Sequence, residues 1–283
     1  MHVRLSTLAE NSTGSIELLA EWGLSILVET DDVTILVDTG RTMVAAHNAK
    51  VMGVKIKSVD KILFSHGHYD HTGGVVDMLR LDDVSGTPVE IIAHPDVWAP
   101  KFGRSANQTN YRYAGIPFPR ILLESLGASF HLTPEPVWIT DRIVTSGEVP
   151  MLNDYEKIEA GLYIQTDDGY DPDPLKDDQS LFIRSDKGLI IIAGCAHRGI
   201  VNTITHAQKL TGCDEVYAVV GGTHLYRASE DRVRLTLEAI KRLDIQRIGV
   251  SHCTGPNASA FLAHELGDRF FFNQAGTITE FDV

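Results

Sequence analysis

The sequence predicts one compact α/β domain, and three observations carry that prediction. Short, β-branched apolar runs alternate with stretches of helical periodicity from residue 62 onward. No Pro/Ser-rich linker or block of like charge interrupts them. With 283 residues, 43% of them hydrophobic, the chain can bury a large core.

The first quarter reads as strand. Residues 25–29 (SILVE) and 34–38 (TILVD) flank the acidic turn Thr30-Asp31-Asp32, a hairpin signal. A helix is expected over residues 42–52, followed by the apolar run at 62–64. Further strands are expected at 89–93, 137–139, 162–165, 181–183, 189–193, 216–220 and 248–250. Helices are expected at 75–81, 200–210, 230–243 and 258–266; in the third, Val233, Leu237 and Ile240 recur at helical spacing. Residues 167–178 (DDGYDPDPLKDD) are acidic and rich in turn formers, and read as a surface loop.

Charge narrows the function. The 25 basic and 38 acidic residues leave a formal charge of −13, which disfavours a surface built to neutralise nucleic-acid phosphates. A local basic pocket for a small anion stays open, and a small-molecule substrate is expected. No apolar run approaches the roughly 20 residues that span a bilayer. The N-terminus leads into polar sequence without the apolar core of a signal peptide. Cys195, Cys213 and Cys253 are odd in number and form no CxxC pair, so a cytoplasmic setting is expected. Oligomeric state is not legible.

Residues 62–74 read ILFSHGHYDHTGG. Where an apolar strand ends at Ser65, His66 and His68 project to the same side of extended backbone. Asp70 and His71 follow at once, so four ligand-type side chains crowd into six residues. Imidazole with carboxylate suits zinc, and also manganese or iron. Ligands presented by a loop differ from HExxH, where two histidines meet across one helical turn.

This His66-Gly67-His68-Tyr69-Asp70-His71 run resembles the metallo-β-lactamase superfamily. The resemblance implies a four-layer αββα sandwich over nearly the whole chain, with a two-metal site at one edge of the sheets. Val37-Asp38-Thr39-Gly40 resembles the family's first motif, whose aspartate supports the metal loop without being a ligand. By the same resemblance, His66, His68, Asp70, His71 and His252 are metal ligands, with Asp70 also orienting the attacking group. His197 follows a strand after which many members carry a bridging aspartate. Here Cys195 occupies the aspartate-like place, and either it or His197 supplies the ligand, with His197 preferred. The usual middle histidine has no counterpart in Lys176-Asp177-Asp178-Gln179. Asp177 or Asp178 substitutes there, or His197 fills the role. The combination of SHGHYDHTGG, GCAHRGIVNT, GGTHL and SHCTG is similar to the subgroup of dihydropterin ribofuranosylaminobenzene-phosphate synthases.

His224, in GGTHL, is a candidate substrate-binding residue, and Arg198, Lys101 and Arg104 are candidate phosphate contacts. His94 reads as structural; His2, His47, His131, His206 and His264 show no partner pattern. Cys253 reads as a small buried hydrophobe. Two divalent ions about 3.5–4 Å apart lower the pKa of a shared water toward ~7. The first expectation is therefore hydrolysis of a small ester, lactone or phosphoester. The alternatives are a condensing transferase, or an iron-dependent redox protein or ligand binder.

Overall fold

The computed structural model describes residues 1–54, 59–81 and 88–283. A mixed seven-stranded sheet has the order β17-β1-β2-β3-β4-β5-β8. Its strands are β1 (His2–Ala9), β2 (Ser25–Thr30), β3 (Thr34–Val37), β4 (Lys61–Leu63), β5 (Val89–Ala93), β8 (Ala128–Leu132) and β17 (Ile278–Asp282). A six-stranded sheet has the order β16-β15-β14-β13-β12-β9. It contains β9 (Ile143–Thr145), β12 (Ser180–Ser185), β13 (Gly188–Ala193), β14 (Val216–Gly222), β15 (Arg247–Ser251) and β16 (Phe270–Phe272). A small antiparallel sheet joins β6 (Lys101–Gly103), β7 (Arg112–Tyr113), β10 (Leu162–Thr166) and β11 (Gly169–Pro172).

The side-chain alternation of the strands explains the layering. In β2 and β3, Ile26, Val28, Ile35 and Val37 face one way and join Leu181, Ile183, Ile190 and Ile192 of the other sheet in one buried cluster. Leu27 and Leu36 point to the opposite face, where they meet α1 (Val44–Val51), α3 (Val75–Arg80) and α4 (Arg120–Ser125). Phe182, Ile191 and Ala193 likewise meet α5 (Ile200–Thr211), α6 (Glu230–Arg242) and α7 (Pro256–Leu266). Strands apolar on both faces can only be satisfied by a layer on each side. Three buried clusters thus fill the three spaces of an αββα sandwich.

Each large sheet repeats one pattern. In the first, antiparallel β17/β1, β1/β2 and β2/β3 are followed by parallel β3/β4, β4/β5 and β5/β8. In the second sheet, antiparallel β9/β12 and β12/β13 are followed by parallel β13/β14, β14/β15 and β15/β16. The carboxyl ends of the parallel strands deliver the candidate ligands, as open α/β sheets do for their ligands.

Three expectations need correction. Residues 137–139 form no strand beyond an isolated bridge from Trp138 to Val144. The N-terminus, read as leading into polar sequence, forms the inner strand β1; its Ser6 and Thr7 are fully buried, and Thr7 Oγ1 donates to Asn273 Oδ1 at 2.9 Å. The stretch 167–178 is only partly surface: β11 pairs with β10, and Asp173, Leu175, Asp177 and Asp178 are buried.

Candidate metal centre

Leaving β4, the chain enters Ser65 with its side chain and amide tied to Asp38. Ser65 N and Oγ each donate to an Asp38 carboxylate oxygen at 2.7 Å. The oxygen that accepts from Ser65 Oγ, Asp38 Oδ2, also meets His71 Nδ1 at 2.6 Å. Asp38 therefore staples both ends of the His-rich loop, from a left-handed backbone position with φ of 59°. Gly67 lies so close to Val97 that a Cβ there would collide with its carbonyl, and its amide donates to Asp177 Oδ2 at 2.8 Å. The four-residue helix α2 (Tyr69–Thr72) then carries Asp70 and His71.

The predicted residues converge in two overlapping sets. His66 Nε2 lies 2.9 Å from His68 Nδ1 and 3.2 Å from His197 Nε2, and this trio can hold one metal. Asp70, His71 and His252 form a second trio, with His252 Nε2 3.4 Å from Asp70 Oδ2. Cys195 joins them, its sulfur 3.1 Å from His71 Nε2 and also grouped with His66. So His197 lies with His66 and His68, while Cys195 stands between the trios.

Asp177 and Asp178 belong to neither set among the described residues. Asp177 bonds Lys101 and Gly67, and Asp178 accepts from the Arg198 amide at 2.9 Å. Lys101 is not a surface cation: it is fully buried between Asp173 and Asp177, at 2.9 and 2.8 Å. Arg198 is buried against Pro174 and Glu148.

The donor chemistry fits a divalent metal. Zn–N bonds of about 2.0–2.1 Å in a tetrahedron place neighbouring nitrogens about 3.3 Å apart, close to the spacings seen. Burial pushes His66 and His197 well below the usual histidine range, and neighbouring imidazoles add to it; His68 falls to about 4, again through burial. Neutral rings present lone pairs to a cation. The far nitrogens are held: His66 Nδ1 by Ser65 Oγ at 2.9 Å, His71 Nδ1 by Asp38, and His252 Nδ1 by Asn11 Oδ1 at 2.9 Å. Such partners set the tautomer so that Nε2 faces the metal. Burial opposes the charge on Asp70, but the hydrogen bond to His252 and the charge of His71 hold its carboxyl well below the usual range.

Backbone strain gathers here. Of six non-glycine residues with positive φ among the described residues, four sit at the site: Asp38, Ala196, His224 and His252. Such conformations cost about 1–3 kcal/mol each and persist where surroundings enforce them. His224 is among them and packs its ring 4.1 Å from that of His197. Its Nε2 meets Glu159 at 3.1 Å. Burial disfavours a proton there, but the neighbouring Cys253 and the hydrogen bond to Glu159 outweigh it and raise His224 to about 9.

Glu159, Glu10 and Asn11 escaped the sequence reading. Glu10 accepts from the His252 amide at 2.7 Å. They lie far from the motifs in sequence, and no spacing rule reaches them. Beside the centre opens a cleft of about 1440 Å³, lined by Tyr69 and His224 at its inner end.

Comparison with known proteins agrees with this geometry. Residues 23–209 match the family model of the metallo-beta-lactamase superfamily. The chain is 32% identical to the 7,8-dihydropterin-6-methyl-4-(beta-D-ribofuranosyl)-aminobenzene-5'-phosphate synthase of Methanocaldococcus jannaschii, across 99% of this chain and 97% of that one. An uncharacterized protein of the same organism is 30% identical across 95% and 96%. The crystal structure of Tm1679, a metal-dependent hydrolase of the beta-lactamase superfamily, superposes with a TM-score of 0.83, 25% identity and 98% coverage of both chains. A diphosphatase from the PhnP family shares the fold at a TM-score of 0.57 and 15% identity. This chain belongs to the metallo-β-lactamase superfamily.

Proposed function

We propose that this protein is a two-metal hydrolase of a small ester, lactone or phosphoester. The observation that carries the reading is the convergence of two ligand trios, sharing Cys195 between them, beside a large cleft. His66, His68 and His197 would hold one ion; Asp70, His71 and His252 the other. Zinc suits the imidazole-rich set best, with manganese or iron also accepted. Divalent ions held there supply Lewis-acid polarisation of a substrate oxygen and a lowered pKa for water.

The chain's own residues do the rest. Asp38 locks His71 in the tautomer that frees Nε2, and Asn11 does the same for His252. His224 holds a proton beside the cleft, with Glu159 fixing its ring, so it is placed to protonate a departing oxygen. The test is turnover of 4-nitrophenyl phosphate, bis(4-nitrophenyl) phosphate and a short-chain lactone, alongside elemental analysis. About two metals per chain and chelator-sensitive turnover support the hydrolase. Loaded protein that turns over none of them removes it.

A second reading is a condensing transferase, favoured by the relative named as a synthase over almost the full chain. It predicts pyrophosphate release when a dihydropterin diphosphate is mixed with a phosphorylated ribosyl arylamine.

A further inference from the structure

His224 shares the features of the ligand histidines, yet it stands outside both trios. It follows the end of β14 as His252 follows the end of β15. Both residues take a left-handed backbone, with φ of 49° and 51°. Glu159 holds the His224 Nε2 at 3.1 Å, as Asp38 holds the Nδ1 of His71. The remaining nitrogen, His224 Nδ1, is buried with no hydrogen-bond partner among the described residues. Such a group costs desolvation free energy that the fold does not return.

Two further donors stand close to it. One ring nitrogen each of His224 and His197 lies within 4.8 Å of the Cys195 sulfur and of one another. The two rings pack with centroids 4.1 Å apart. His197 is 3% exposed, and its Nδ1 is buried without a partner among the described residues. Its Nε2 faces His66 at 3.2 Å, so the ring keeps a second nitrogen beyond the one the first trio uses. Cys195 is a free, buried thiol; as a thiolate it is a metal ligand with lone pairs enough to bridge two ions.

We infer that Cys195, His197 and His224 form a third metal position, selective for a thiophilic ion such as zinc or cadmium. One sulfur and two imidazoles leave a fourth place open, a donor set that suits a tetrahedral ion. Thiolate selects against manganese, which prefers oxygen ligands. Glu159 orients the His224 ring as carboxylates do for metal-bound histidine. His224 also lines the cleft, which gives an ion its way in. This position goes beyond the hydrolase reading, which gives His224 a proton. An ion replaces one proton of that ring's charged form, so occupancy and acid catalysis exclude each other.

The experiment is equilibrium dialysis against cadmium and, separately, manganese, with ions per chain counted by elemental analysis. Wild type should hold one cadmium equivalent that His224→Gln lacks, its affinity falling about hundredfold or more. Manganese should show no such difference between the two proteins. Glu159→Gln keeps all three donors and should weaken the same cadmium equivalent about tenfold; it carries the test if His224→Gln does not fold. A folded variant that keeps the wild-type cadmium count and affinity would overturn the inference, as would an equal deficit with manganese. A single cadmium ion that depends on His224, in protein that binds no other, would support this position while removing the two-metal reading. Two ions indifferent to His224, with no third, would do the reverse.

Discussion

At the residue scale, burial favours the neutral form of His66, His68 and His197, and partners hold the far nitrogens of His66, His71 and His252. His71 is the exception, and it carries a pH prediction. Burial lowers its affinity for a proton, but the charge of Asp38 and their 2.6 Å bond outweigh that and raise it from 6.5 to about 9. A raised folded pKa contributes stability that is full below 6.5 and lost as pH rises through about 9. Metal-free protein should therefore lose about 3 kcal/mol between those limits, measured by urea unfolding at several pH values. Asp38→Asn should flatten that slope; an unchanged slope would assign the effect elsewhere. Cys195 makes a second prediction. If the sulfur standing between the trios ligates a metal, Cys195→Ser should weaken one metal equivalent and abolish the thiolate-to-metal absorption of cobalt-loaded protein. A variant spectrum identical to wild type would leave His197 as the contributor from that strand end.

At the element scale, the His-rich loop is rigid because other elements grip it. Lys101, at the start of β6, has no exposure and bridges Asp173 and Asp177, and Asp177 in turn holds the Gly67 amide. Removing one partner of a buried pair leaves charge uncompensated and costs about 3–5 kcal/mol. Lys101→Met should show that loss in denaturant unfolding, together with weaker metal retention on dialysis. A loss under about 1 kcal/mol would show that the two carboxylates find other partners. The same network explains why residues 167–178 misread as surface: the acidic run was legible, but its buried cation sits 72 and 76 residues upstream of the carboxylates it meets.

At the scale of the whole molecule, the two large sheets share their central cluster, from Ile26 and Val37 on one side to Ile183 and Ile192 on the other. Neither sheet can bury its inner face alone. Unfolding in denaturant should thus follow one cooperative transition by both circular dichroism and tryptophan fluorescence. Two separated transitions would mean that the halves are stable by themselves. No helix among the described residues is long and apolar enough to cross a membrane.

The sequence by itself determined the α/β alternation and the strand-end position of His66, His68, Asp70 and His71. Those features are short-range: periodicity two or 3.6, and ligands crowded into six residues. Tertiary structure alone decided that His197 completes the first trio while Cys195 stands between the two, because both side chains reach the centre from either side of Ala196, whose φ is a positive 55°. It alone decided that β1 is an inner strand, since Thr7, fully buried, donates to Asn273, which arrives from the far end of the chain. And it alone assembled a cationic cleft on an acidic chain, because Arg41, Arg104 and Arg232 come from distant segments that only the packed sheets bring to one wall.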